Sequence, residues 1–245
     1  MELFTNKDYI ELIVISDLHL CNKLDRIDLV YKTYEYAYNN NIHYIINLGD
    51  LIDSFMPHNK DNLKIKNIYK QIDYVIDNYP LNNDIKTYIL YGNHDYYQMY
   101  KHNINVSKLI SNERNDLINL GYGEAYLNIF DNYIKLSHDI PYFKNYKENI
   151  ETIINLIGHY HNFKINNYDN TLFIYAPSLS NLSPNNNLII PSILDIKISF
   201  NNQIISKVNI KNIDLEKNII NSEFDICLNI SNKRYMKIKD HFKSN

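Results

Sequence analysis

Tryptophan is absent from this chain of 245 residues, and cysteine occurs only twice, at Cys21 and Cys227. Two cysteines so far apart make no zinc-finger spacing and allow at most one disulfide, so a disulfide scaffold is excluded. A reducing compartment is the expectation. No apolar run approaches the ~20 residues of a membrane span. The opening segment, MELFTNKDYIELIVIS, has charges on both sides of a short apolar run and lacks the layout of a signal peptide. The sequence therefore reads as a soluble cytoplasmic protein with no membrane partner. Excess positive charge is also missing: the net charge is -3. That excludes a strongly basic nucleic-acid coat, while a local basic groove stays open. Glycine is scarce, at 5 residues. Where a chain so poor in glycine keeps one, the backbone is expected to require it.

What is present is ordinary for a globular protein: 45% hydrophobic and 22% charged residues. The length is ample for a hydrophobic core without metal or disulfide staples. Asn, Ile, Lys and Tyr are common, Tyr alone occurring 23 times. Codon bias accounts for this enrichment, and the Asn runs at 39–41 and 185–187 read as surface loops.

Hydrophobic periodicity divides the chain into two halves. The runs 11–16, 43–48 and 86–91 read as buried strands. Between them, Leu24, Ile27, Tyr31, Tyr34 and Tyr38, then Ile65, Ile68, Ile72, Val75, Ile76 and Tyr79, recur at helical spacing. This alternation predicts parallel strands joined by helical crossovers. In the second half, 124–138 reads as a hairpin turning at Asp131-Asn132, 145–152 as a short helix, and 152–157, 172–176 and 193–210 as further strands. No repeat and no linker divides the chain. One domain over 1–210 is expected, with 211–245 as an extension packed on it. Nothing in the sequence sets an oligomeric state.

Five short polar segments end predicted strands: Asp17-Leu18-His19, Gly49-Asp50-Leu51-Ile52-Asp53, Gly92-Asn93-His94-Asp95, Ser137-His138-Asp139 and Gly158-His159-Tyr160-His161. In open α/β sheets, sites form beyond the carboxyl ends of strands. Polar groups placed there beside a core need partners. The donors are imidazole, carboxylate and one amide oxygen, a set that suits Mn, Fe or Zn. They outnumber what one tetrahedral ion can use, which points to two divalent ions sharing a carboxylate.

The ordered series DLH, GDLID, GNHD, SH and GHYH resembles the calcineurin-like metallophosphoesterase superfamily, from Asp17 to His161. The resemblance implies an α/β fold, a four-layer αββα sandwich of two mixed sheets flanked by helices. It implies that Asp17, His19 and His161 hold a first metal, that Asp50 bridges, and that Asn93, His138 and His159 hold a second. His94 would face the leaving group, and Asp53 would hold that histidine. The implied chemistry is hydrolysis of a phosphoester, with a nucleotide or nucleic acid among the candidate substrates.

Departures from the family pattern narrow the branch. Ser54 follows Asp53 where protein phosphatases carry Arg, and the third motif ends in Asp95 instead of Glu. Phosphodiesterase-like members, including DNA-repair exonuclease relatives, resemble this pattern better. A DNA or RNA nuclease is the alternative enzyme, and a metal-free structural relative the alternative from another class. His138 lacks the neighbouring Gly usual in the fourth motif, which leaves His102 as its substitute. Asp95 and Asp139 have turn or cap roles as their simpler explanation. His43, His58, His102 and His241 read as ordinary surface or core residues. Tyr96, Tyr97 and Tyr100 could stack a base but read better as loop packing.

Overall fold

In a computed structural model, the chain is described at all residues except 4, 6, 139–151, 169–170, 184–188, 229–237 and 241–245, with backbone alone at 238–240. The first half alternates as expected. β1 (Tyr9–Ile15), α1 (Ile27–Asn39), β2 (Tyr44–Asn47), α2 (Ile68–Asn78) and β3 (Lys86–Tyr91) are followed by α3 (Asn93–His102), α4 (Val106–Glu113) and β4 (Leu117–Tyr122). The second half is all strand: β5 (Glu124–Ile129), β6 (Asn132–His138), β7 (Ile154–Gly158), β8 (Lys164–Tyr168), β9 (Thr171–Tyr175), β10 (Ile193–Asn201), β11 (Ile204–Asp214), β12 (Ile219–Cys227) and β13 (Ile238–Asp240).

These strands form two mixed sheets, ordered β13-β12-β11-β10-β1-β2-β3-β4 and β5-β6-β7-β9-β8. β1 to β4 run parallel, and β10 joins β1 antiparallel. In the second sheet β6, β7 and β9 are parallel, with antiparallel edges.

A two-residue side-chain period sorts the core. On β1, Ile13 and Ile15 face a cluster shared with Leu29 and Val30 of α1, Ile72 and Val75 of α2 and Ile110 of α4. Ile10, Leu12 and Val14 face the other way, toward Leu127, Ile134, Leu156 and Ile174 of the second sheet. Burial on both faces is why these strands read as continuous apolar runs instead of alternating ones. Truncating Leu12, fully buried between the sheets, to Ala would cost about 2–5 kcal/mol.

Two element assignments change. The hairpin turns at Phe130-Asp131, whose φ values of 51° and 59° fit a type I′ turn, one residue earlier than the sequence reading. The third motif ends β3 as expected but opens α3, so Tyr96, Tyr97 and Tyr100 lie on a helix and not in a loop. The helix expected at 145–152 lies outside the described residues except for Thr152. No helix among the described residues is long and apolar enough to cross a membrane.

Candidate metal centre

β1, β2, β3, β6 and β7 bring their carboxyl ends to one edge, where all the motif residues collect. The turns after these strands are held in unusual backbone conformations. Asp17, His19, Asp50, His159 and His161 have φ of 54°, 44°, 51°, 79° and 62°. Each such residue costs of order 1–3 kcal/mol and persists only where its surroundings over-determine it. Here the loops are zipped together. Asp17 N–H donates to Gly49 O, His19 N–H to Asp50 O and Leu20 N–H to Leu51 O, each at 3.0 Å.

Glycine is required where the loops touch. Gly49 has φ +115°, and a Cβ on it would run into the His138 ring. A Cβ on Gly92 would strike Asp50 Oδ1 and lie 2.7 Å from His138 Nε2. The sequence-level expectation about scarce glycine therefore has a concrete cause.

Two donor groups result. In the first, Asp17, His19 and His161 lie together: His19 Nε2 is 3.3 Å from His161 Nε2, which is 3.4 Å from Asp17 Oδ1. In the second, His138 Nε2 and His159 Nδ1 are 3.1 and 3.0 Å from Asn93 Oδ1. Asp50 Oδ2 stands between them, 3.3 Å from His138 Nε2 and 3.8 Å from His19 Nε2.

The tautomers are set from outside. His138 Nδ1 faces Leu48 O at 2.8 Å, and His161 Nδ1 faces Leu182 O at 2.7 Å. Only an N–H satisfies a carbonyl, so both rings turn Nε2 inward. Asp17 Oδ1, buried, has no hydrogen-bond partner. Inward lone pairs and an orphaned carboxylate oxygen fit a cation.

Without a cation, protons compete for this space. Burial pulls His138 down, but the charges of Asp50 and Asp17 push it up to about 9. For His19, burial outweighs Asp53, and its pKa falls below the ordinary value. Burial would raise Asp50, yet His138, His94 and His19 hold it well below the usual carboxylate range.

His94 sits beside both groups, within reach of His19 and Asp50. Its backbone N–H donates to Asp50 Oδ1 at 2.9 Å, and its Nδ1 lies 3.0 Å from Asp53 Oδ1. Burial lowers its pKa, but Asp50 and Asp53 raise it to about 10.

A cleft of about 510 Å³ opens over these residues, with Asn22, Asn59, Asn62, Tyr160 and Ser183 on its walls. His58, read from the sequence as an ordinary residue, also lines it. His102 ends α3 with its ring edge-on to Tyr97, whereas His138 Nε2 lies among the motif residues beside Asn93 and Asp50. Asp95 is a buried cap, accepting from the backbone N–H groups of Gly92, Leu51 and Ile52. Asp139 lies outside the described residues. Asn22 and Asn59, which the sequence reading passed over, surround Asp53. In a chain so rich in Asn, no local signal distinguishes them.

A two-sheet α/β sandwich with imidazoles and carboxylates gathered at its strand ends defines a metal-binding protein of the phosphoesterase kind. The sequence model of the family "Calcineurin-like phosphoesterase" matches residues 10–191, a span containing every candidate site residue, and the chain belongs to that family. The family binds divalent metals. Curated proteins yield no match to the sequence.

Solved structures of related fold include an archaeal phosphodiesterase, at 16% identity and TM-score 0.48, covering 89% of this chain and 100% of that one. Vps29 from Entamoeba histolytica, complexed with zinc, matches at 15% identity and TM-score 0.48, covering 94% and 99%. A predicted phosphoesterase from Streptococcus pneumoniae matches at 13% identity and TM-score 0.48, covering 94% and 98%.

Proposed function

We propose that this protein is a phosphodiesterase with a dinuclear metal centre. The observation that carries the reading is the position of Asp50 Oδ2 between two donor groups. Asp17, His19 and His161 would hold one ion, Asn93, His138 and His159 the other, and Asp50 both. Mn, Fe and Zn suit these nitrogen and oxygen donors. When bound, two such cations supply water activation and charge neutralisation at phosphorus.

The chain's own residues account for the rest. His94 carries its Nδ1 proton toward Asp53, which aims Nε2 at the cleft. A protonated His94 gives its Nε2 proton to the departing oxygen as the P–O bond breaks. The amide of Asn62 and the hydroxyl of Ser183 complete the cleft wall beside these imidazoles and carboxylates.

The test is to load purified protein with Mn²⁺, count the metal, and screen phosphomonoesters, aryl diesters, cyclic nucleotides and DNA side by side. About two ions per chain and fastest turnover of small diesters are expected. Fewer than about one ion per chain would favour a non-catalytic relative. A steep loss of activity with salt on DNA would favour a nuclease.

A further inference from the structure

Asp53 is buried, with a carboxylate encircled by nitrogen. Oδ1 lies 3.1 Å from His19 Nδ1 and 3.0 Å from His94 Nδ1. Oδ2 accepts from Asn22 Nδ2 at 2.7 Å and from Asn59 Nδ2 at 3.2 Å. Asn59 Nδ2 also donates to the backbone carbonyls of Asp53 at 2.9 Å and Ser54 at 3.2 Å. The oxygen of each amide is held by a backbone N–H. Asn22 Oδ1 accepts the Leu24 N–H at 2.8 Å, and Asn59 Oδ1 accepts the Met56 N–H at 2.9 Å. An atom that accepts a backbone N–H is the amide oxygen, so both nitrogens face Asp53.

The consequence passes through the carboxylate to the two imidazoles. Four nitrogens surround the two oxygens of Asp53 and fix its rotation, while His94 Nδ1 also faces the Asp53 backbone carbonyl at 2.9 Å. A carboxylate held in this way can only accept, so the facing nitrogens of His19 and His94 carry the protons. Their Nε2 atoms are then left for the cleft. Loss of either amide removes one of the two donors on Oδ2 and loosens the carboxylate, most directly at His19, whose Nδ1 bonds Oδ1, and less at His94, which also has the Asp53 backbone carbonyl.

We propose that Asn22 and Asn59 are positioning residues that act through Asp53 to orient His19 and His94. The proposal rests on the reading of His19 as a metal ligand and His94 as the leaving-group acid. Both amides also border the cleft, so the rival role is direct contact with substrate.

Asn22→Asp and Asn59→Asp separate these roles. Each is isosteric and keeps the oxygen that accepts from Leu24 or Met56, while it replaces the donor facing Asp53 with an acceptor. Two readouts on the full chain are compared: Mn²⁺ affinity by calorimetry, and kcat and KM on a nucleoside diester.

We expect roughly 10–100-fold losses in Mn²⁺ affinity and in kcat, the usual scale for groups that orient ligands, with KM unchanged. In an Asp53→Asn background the Asn22 substitution should have little further effect, because the carboxylate through which it acts is gone, and the Asn59 substitution should keep only the part that comes from its bonds to the Asp53 and Ser54 backbone carbonyls. Wild-type behaviour of both variants, an undiminished effect in the Asp53→Asn background, or a raised KM at unchanged kcat would overturn the proposal. If either Asp variant fails to fold, the corresponding Ala variant removes the donor without adding charge and carries the same comparison. The Mn²⁺ readout needs no turnover. An amide effect that depends on Asp53, in a protein that hydrolyses no ester, would refute the phosphodiesterase reading and leave the positioning role standing.

Discussion

His19 and His94 meet edge to face, their ring centroids 4.6 Å apart, and both turn Nδ1 toward one oxygen, Asp53 Oδ1. A proposed metal ligand and a proposed proton donor thus share an orienting group. Asp53→Asn should therefore damage both functions. Metal affinity should fall roughly 10-fold or more, and turnover of esters with poor leaving groups should fall with it. Calorimetric Mn²⁺ titration beside steady-state kinetics checks this. Loss of turnover with Mn²⁺ affinity intact would place Asp53 on His94 alone.

His94→Asn tests the proton donor by itself. The two donor groups are complete without His94, so metal content should stay near the wild-type value. Activity on nucleoside diesters, whose alkoxide leaves poorly, should fall about 10²–10⁴-fold. Activity on nitrophenyl esters, which need no proton, should fall much less. An equal loss on both substrates, or loss of a metal, would make His94 a ligand or a substrate anchor.

Asp50→Asn should be more damaging than Asp17→Asn. Asp50 Oδ2 faces both donor groups, whereas Asp17 Oδ1 faces His161 in only one. Metal analysis after gel filtration should find both ions lost in the first variant and mainly one weakened in the second. Two tightly held ions in Asp50→Asn would refute the bridging assignment.

Gly92→Ala introduces a Cβ into Asp50 Oδ1 and against His138 Nε2. Both atoms belong to buried, rigid groups, so overpacking of about 1–3 kcal/mol is expected. Thermal melting should show the loss of stability, and Mn²⁺ titration a weaker second site. An unchanged Tm would mean that the α3 entry loop moves freely.

The pH dependence of stability should reverse with metal. With chelator present, burial disfavours charge on His94 and His138, but Asp50 and its neighbours hold them protonated up to about 10 and about 9, above the ordinary 6.5. Their stabilisation is complete below about pH 6.5 and is lost as pH rises through their folded values. The metal-free protein should therefore melt at a lower temperature at pH 10 than at pH 6.5. With Mn²⁺ present, stability should rise over the neutral range, because the cation displaces the His138 proton. Fluorimetric melting in both conditions reads the sign directly.

Chemistry and order along the chain were legible from residue types alone. Buried strands such as Tyr9–Ile15 and Lys86–Tyr91 announce themselves as apolar runs, because both of their faces are covered. The motif residues stand just beyond those runs, where a strand must leave the core and a polar group can begin. Helix α3 was not legible, since Asn93, His94 and Asp95 are poor helix formers. It starts there because Asp95 accepts from Gly92 N–H and from two backbone groups of the neighbouring loop. Asn22 and Asn59 were hidden by the abundance of their own residue type.

The orientation of each imidazole was decided by partners far along the chain. His138 depends on the carbonyl of Leu48, His161 on that of Leu182, and His19 on Asp53. Residue type and strand periodicity are local properties, which a linear pattern carries. Which nitrogen of a ring faces a cation depends on an acceptor within about 3 Å in space, and only the packing of the two sheets brings those acceptors into place.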